Sequence, residues 1–186
     1  MCYCARIQIV QNRWPVHILQ TAKESAHPLN TAIMAKLSLQ KATINRLKTN
    51  HSPQQIVDPL KAAQGILVFP ADNAQPITEI VGEEPRPLIF IDSTWRKAKR
   101  MLHESPQLRE LPVVFLAARE RRYSLRSARS HERVFNGQRS LPLSTIEAIA
   151  AALGYFERDE EKYLPLLELL ESVQDDQRTF MPDRSK

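Results

Sequence analysis

The chain has 186 residues, a formal charge of +5 and 42% apolar residues, enough for one domain with a real core. No apolar run approaches the roughly 20 residues of a membrane-spanning helix, and the N-terminus lacks a charged-then-apolar secretion signal. With only four glycines, and no GxGxxG or GxxxxGK[ST] string, a glycine-rich phosphate cradle is excluded.

The expectation is therefore a soluble, cytoplasmic protein. Cys2 and Cys4 open the chain, and Cys-x-Cys alone cannot fill a tetrahedral zinc site. His17 and His27 could complete one, but two reduced surface thiols suit a cytoplasm better, so no metal is expected. Val16-His17-Ile18-Leu19 reads as the first strand. Residues 31–39 read as a helix with Asn30 as its N-cap. Residues 42–44 suit a short strand, and His51-Ser52-Pro53 and Asp58-Pro59 should break the chain. Residues 65–70 are a second apolar strand, and 71–87, with three prolines, reads as a long loop with at most one short turn.

Leu88-Ile89-Phe90-Ile91 is the third strand. It ends at Asp92-Ser93-Thr94-Trp95, and a basic helix should follow over 95–103. In open α/β sheets ligands sit beyond the carboxyl ends of strands, so an acid, two hydroxyls and a tryptophan there suggest a site. An ordinary helix cap explains the acid and hydroxyls equally well. Trp95 aligns with Ala98 and Leu102 on one helix face, which favours core packing, while Arg96, Arg100 and His103 form another face.

Residues 113–116 are a fourth strand and lead into an arginine-rich stretch. Residues 96–139 hold twelve lysines and arginines against four acids, +8 in all, and the rest of the chain is −3. Ten of the twelve are arginine, which suits phosphate forks and base stacking, so a polyanion is the expected partner. A merely solvated arginine-rich surface is the plainer alternative. Ser144 and Glu147 form a capping-box pattern before a helix over 145–153, with Gly154 as its stop. A last helix is expected over 159–172, kinked at Pro165, with a frayed polar end from Asp175. Apolar strands alternating with helices give an α/β fold, a mostly parallel sheet with flanking helices.

Asp92-Ser93-Thr94-Trp95 matches Asp-x-Thr-Trp, the signature of the DTW-domain family. Other pieces follow in that family's order. They are Lys23-Glu24 and His27-Pro28 before Asn30-Thr31, then Phe69-Pro70-Ala71, then Ala98, Met101, Pro106, Leu108, Leu111 and Pro112. Tyr123-x-Leu125-Arg126 and Leu143-Ser144-Thr145-x-Glu147-Ala148 complete the set. The chain resembles this family over residues 1–155, and no single string is as specific as their order.

The resemblance implies a SPOUT-like sheet with a C-terminal trefoil knot, which no periodicity could reveal. Residues 1–155 would be the catalytic domain, with 156–186 a helix and polar tail packed on it. The implied activity is tRNA-uridine aminocarboxypropyl transfer from S-adenosylmethionine to ring N3, on tRNA, away from membranes and with no obligatory protein partner. Family members often carry further cysteines before the Cys2–Cys4 pair, so either that module is lost or the start lies upstream.

Asp92 is then the candidate base for the N3 proton, or a ligand for the cofactor's ammonium. Thr94 would fix the loop or bind the cofactor, and Trp95 would stack on a base or pack in the core. Asn30, Thr31, Phe69 and Pro70 would line the pocket. Leu143, Ser144, Thr145 and Glu147 would offer a helix N-terminus to the cofactor's carboxylate, which Arg126 would grip. Arg96, Lys99, Arg100, Arg119, Arg121 and Arg122 would hold RNA phosphates. The competing readings are a methyltransferase using the same cofactor and a non-catalytic RNA-binding module.

Overall fold

The fold was read from a computed structural model, which describes residues 2–26, 29–47, 54–80, 84–117, 122, 133–135, 138–140 and 142–180. The elements run β1 (Val16–Thr21), α1 (Ala22–Ser25), α2 (Thr31–Ser38), β2 (Ala42–Leu47), α3 (Gln54–Ala62), β3 (Ile66–Val68) and β4 (Gln75–Pro76). Then come β5 (Leu88–Asp92), α4 (Trp95–Glu104), α5 (Pro106–Arg109), β6 (Val113–Phe115), β7 (Arg133–Phe135), β8 (Gln138–Ser140), α6 (Thr145–Glu157) and α7 (Leu164–Phe180).

Six strands form one sheet in the order β2-β1-β5-β3-β6-β4, and every pairing in it is parallel. The pair β7–β8 is a separate antiparallel ribbon. Parallel strands are buried on both faces, which is why they read as unbroken apolar runs. Val16, Ile18, Leu88, Phe90, Ile66, Val68 and Val114 face one way, into a core with residues of α2, α6 and α7. Leu19, Leu67, Ile89, Val113 and Phe115 face the other way, onto α3, α4 and α5. The result is a three-layer α/β sandwich, with helices on both faces of the sheet.

Several elements differ from the sequence reading, each for a local reason. Asp58-Pro59 does not break the chain but lies inside α3. A proline there removes one hydrogen bond of a short helix, and the burial of Val57 and Leu60, three residues apart, outweighs that loss. The stretch read as a loop contains β4 and a 3-10 turn over Ile77–Glu79, with β4 forming the sheet edge. Gly154 does not end α6, which continues to Glu157 and stops at Arg158 in the left-handed region at φ 54°. Gly154 instead permits close approach, because a Cβ there would lie 3.0 Å from the Cα of Glu160. Pro165 does not kink the last helix, since it sits in the first turn, where no N–H is needed. That helix begins at Leu164 and runs past Asp175 to Phe180. Arg6 ties it down by an ion pair with Asp176 and a bond to the Ser172 carbonyl.

Candidate active site

Strands β1 and β5 are neighbours in register, and their carboxyl-terminal ends bring Gln20 opposite Asp92. Both side chains point to the face covered by α2 and α6, because side chains two apart share a face. Asp92 is partly buried and accepts two hydrogen bonds. The Gln20 amide donates from Nε2 to its Oδ2 at 2.8 Å. The Thr145 hydroxyl, on the first residue of α6, donates to its Oδ1 at 2.6 Å. Gln20 Nε2 also donates to Asn30 Oδ1 at 3.1 Å, and that same oxygen caps α2 by accepting from Ile33 N–H. One acid thus joins two strands to the N-termini of two helices. A carboxylate is stabilised at a helix N-terminus, so Asp92 gains from the start of α6.

One residue further on, the Thr21 hydroxyl donates to Ser93 Oγ at 3.3 Å. Thr94 stands at the N-cap of α4, and its carbonyl accepts from Ala98 N–H at 2.9 Å. Its hydroxyl makes no cap bond to that helix. Trp95 is partly buried against the second core, with its ring 5.5 Å from that of Phe69 and tilted by 38°. Core packing therefore describes Trp95. Phe69 is buried at the end of β3, and Pro70 beside it is partly exposed.

Leu143, Ser144 and Thr145 are all partly exposed at the start of α6. Ser144 and Glu147 form the expected capping box, with Ser144 N–H donating to Glu147 Oε2 at 2.7 Å. Glu147 is only 5% exposed, and its Oε1 accepts the N–H of Arg122 at 2.6 Å. Gln174 of α7 donates to the carbonyl of Arg122 at 3.2 Å, so the backbone of one arginine is held through both its N–H and its carbonyl. The Arg122 guanidinium reaches Glu171 at 3.0 Å.

Arg96, Lys97, Lys99, Arg100 and His103 are exposed on α4, directly after the Asp92 turn. Arg100 pairs with Glu104 at 2.7 Å, and Lys99 lies 3.8 Å from Asp72. Arg119, Arg121, Tyr123, Leu125 and Arg126 fall outside the described residues, as do His27 and Pro28. Cys2 and Cys4 are exposed, free thiols. No described helix is long and apolar enough to cross a membrane.

The sequence reading missed Gln20, which the structure shows fully buried beside Asp92. The available signal was a lone amide closing the apolar run Val16-His17-Ile18-Leu19. Gln174 was missed too, because it lies beyond the expected end of the last helix at residue 172.

The DTW domain family matches residues 1–178. Over 109 residues the chain is 33% identical to tRNA-uridine aminocarboxypropyltransferase 2 of Drosophila melanogaster. That alignment covers 54% of this chain and 43% of the relative, so the chain spans less than half the relative's length. No solved structure matches.

Proposed function

Because the chain belongs to the DTW-domain family, we propose that it transfers the 3-amino-3-carboxypropyl group of S-adenosylmethionine to N3 of a tRNA uridine, releasing methylthioadenosine. The observation that carries this reading is Asp92, an acceptor set at the carboxyl end of the sheet and framed by Thr145 and Gln20 beside an aromatic wall.

The chemistry of the residues fits the cofactor. Asp92 offers an acceptor for an ammonium, and the start of α6 offers donors for a carboxylate. The cofactor would lie against Phe69, Pro70, Asp92, Leu143, Ser144 and Thr145, with Arg126 on its carboxylate. Glu147 supports that cradle by holding Ser144 and the Arg122 peptide. When bound, S-adenosylmethionine supplies a sulfonium whose γ-carbon is open to displacement.

Uracil N3 is a poor nucleophile until its proton leaves, and in this reading Asp92 accepts that proton. Thr94 keeps the turn before α4, and Trp95 walls the site. Holding the reacting atoms in contact supplies much of the rate. Arg96, Lys99 and Arg100, with Arg119, Arg121 and Arg122, would hold the phosphates around a uridine in a loop, where bases can be splayed out. This reading makes residues 1–155 a cytoplasmic catalytic unit with 156–186 packed on it. We also propose that the sheet is of the SPOUT-like class with a C-terminal knot, a reading that rests on membership of the DTW family. Threading slows folding, so refolding far slower than for an unknotted sheet of this size tests that assignment.

Mass spectrometry of the protein incubated with S-adenosylmethionine and unmodified tRNA tests the activity. Methylthioadenosine with an aminocarboxypropyl mass on a uridine is expected. S-adenosylhomocysteine with a methyl gain, or tRNA binding without cofactor binding, would replace it.

A further inference from the structure

The Asn30 amide has only one workable orientation. Its Oδ1 accepts from Ile33 N–H at 3.1 Å, and its Nδ2 donates to the carbonyls of Glu24 at 3.2 Å and Ser25 at 3.4 Å. That orientation decides the next one. Gln20 must present its NH2 group to Asn30 Oδ1, and the other hydrogen of the same NH2 meets Asp92 Oδ2. Turned over, Gln20 Oε1 would face two acceptor oxygens. Thr145 supplies the donor on the other side of the acid, at Oδ1. The cap of α2 therefore sets the hydrogen-bonding polarity of Asp92 through one intervening side chain.

The cost of this arrangement is visible. Gln20 is 0% exposed, and its Oε1 is buried with no hydrogen-bond partner. A buried unpaired oxygen is destabilising, and a core built for packing alone would carry an apolar side chain here.

We propose that Gln20 is a positioning residue, whose amide, locked by the α2 cap, holds the Asp92 carboxylate in plane and acceptor-only toward the site. Its kinetic consequence rests on the transfer reading above, and its geometric consequence does not.

Gln20→Met keeps length and volume and removes the amide. The Met variant should unfold within a few degrees of wild type, because relief of the unpaired oxygen offsets the two bonds lost at Asp92 and Asn30. Its kcat for methylthioadenosine release with tRNA should fall about 10- to 100-fold, the size of one lost hydrogen bond to a charged group, with the KM for tRNA unchanged. A lower melting temperature with unchanged kcat would mark Gln20 as structural and overturn the proposal. A second measurement needs no activity. In wild type the Gln20 side-chain NH2 should be protected from solvent exchange by NMR, and one of its proton resonances should move in Asp92→Ala. Identical resonances in the two proteins would overturn the geometry. If wild type makes no methylthioadenosine, the transfer reading fails, and the NMR result alone then decides the role of Gln20.

Discussion

Thr145 commits its one hydroxyl proton to Asp92, and that bond ties α6 to the site. Thr145→Val keeps the shape and removes the donor. We expect kcat/KM for aminocarboxypropyl transfer to fall about 10- to 100-fold, as for a lost hydrogen bond to a charged group, read by methylthioadenosine release. Asp92→Asn should cost about 10²- to 10⁴-fold in kcat, the range for a positioned proton acceptor; full turnover in that variant would remove the base role. At this scale the sequence was informative where a residue type is rare in its setting. Asp92 after four apolar residues, and Ser144 three before Glu147, were both conspicuous. Gln20 was not, because a glutamine at a strand end is ordinary, and its meaning comes from register with a strand 72 residues away.

Among the elements, α6 and α3 differ most from their sequence patterns, and both end on a non-glycine residue in the left-handed region. Gln64, after α3, has φ 55°, and Gly65 N–H bonds back to the carbonyl of Leu60 at 2.8 Å. Glycine is the usual residue at such a stop, so Gln64→Gly should stabilise by about 0.5–1 kcal/mol once its unfolded-state entropy is included, read by chemical denaturation. The far end of α6 carries Glu157, whose side chain is 2% exposed. Burial pushes its carboxyl up, but bonds from Lys162 and from the N–H groups of Arg13 and Trp14 outweigh burial and hold it below its ordinary value. A depressed carboxyl stabilises the fold above its unfolded value and loses that contribution as pH falls through the folded one. The stability difference between wild type and Glu157→Gln should therefore be full at neutral pH and shrink below about pH 4. Proline and glycine misled the reading here because tertiary packing, at Val57 and Leu60 and at Gly154 against Glu160, decided what punctuation would not.

For the whole molecule, the parallel sheet and its two covered faces were legible, since strands buried on both sides cannot hide their apolar runs. Strand order was not, because nothing local says that β6 lies between β3 and β4. Charge was legible as a segment and became a surface only with α4, which turns Arg96, Lys99 and Arg100 outward next to Asp92. Replacing these three by alanine should weaken tRNA binding and lower the slope of log affinity against log salt by about two to three, as for three lost phosphate contacts. An unchanged slope would place the RNA elsewhere. The strand order also sets a timetable for the chain as it is made. Among the described strands of the six-stranded sheet, β1 and β2 alone are neighbours that follow one another in sequence. The Ile66-Leu67-Val68 strand must wait for residues 88–92 to cover one edge and for 113–115 to cover the other. For that interval a growing chain presents a bare apolar strand on the ribosome, and this is where a holding chaperone would find it.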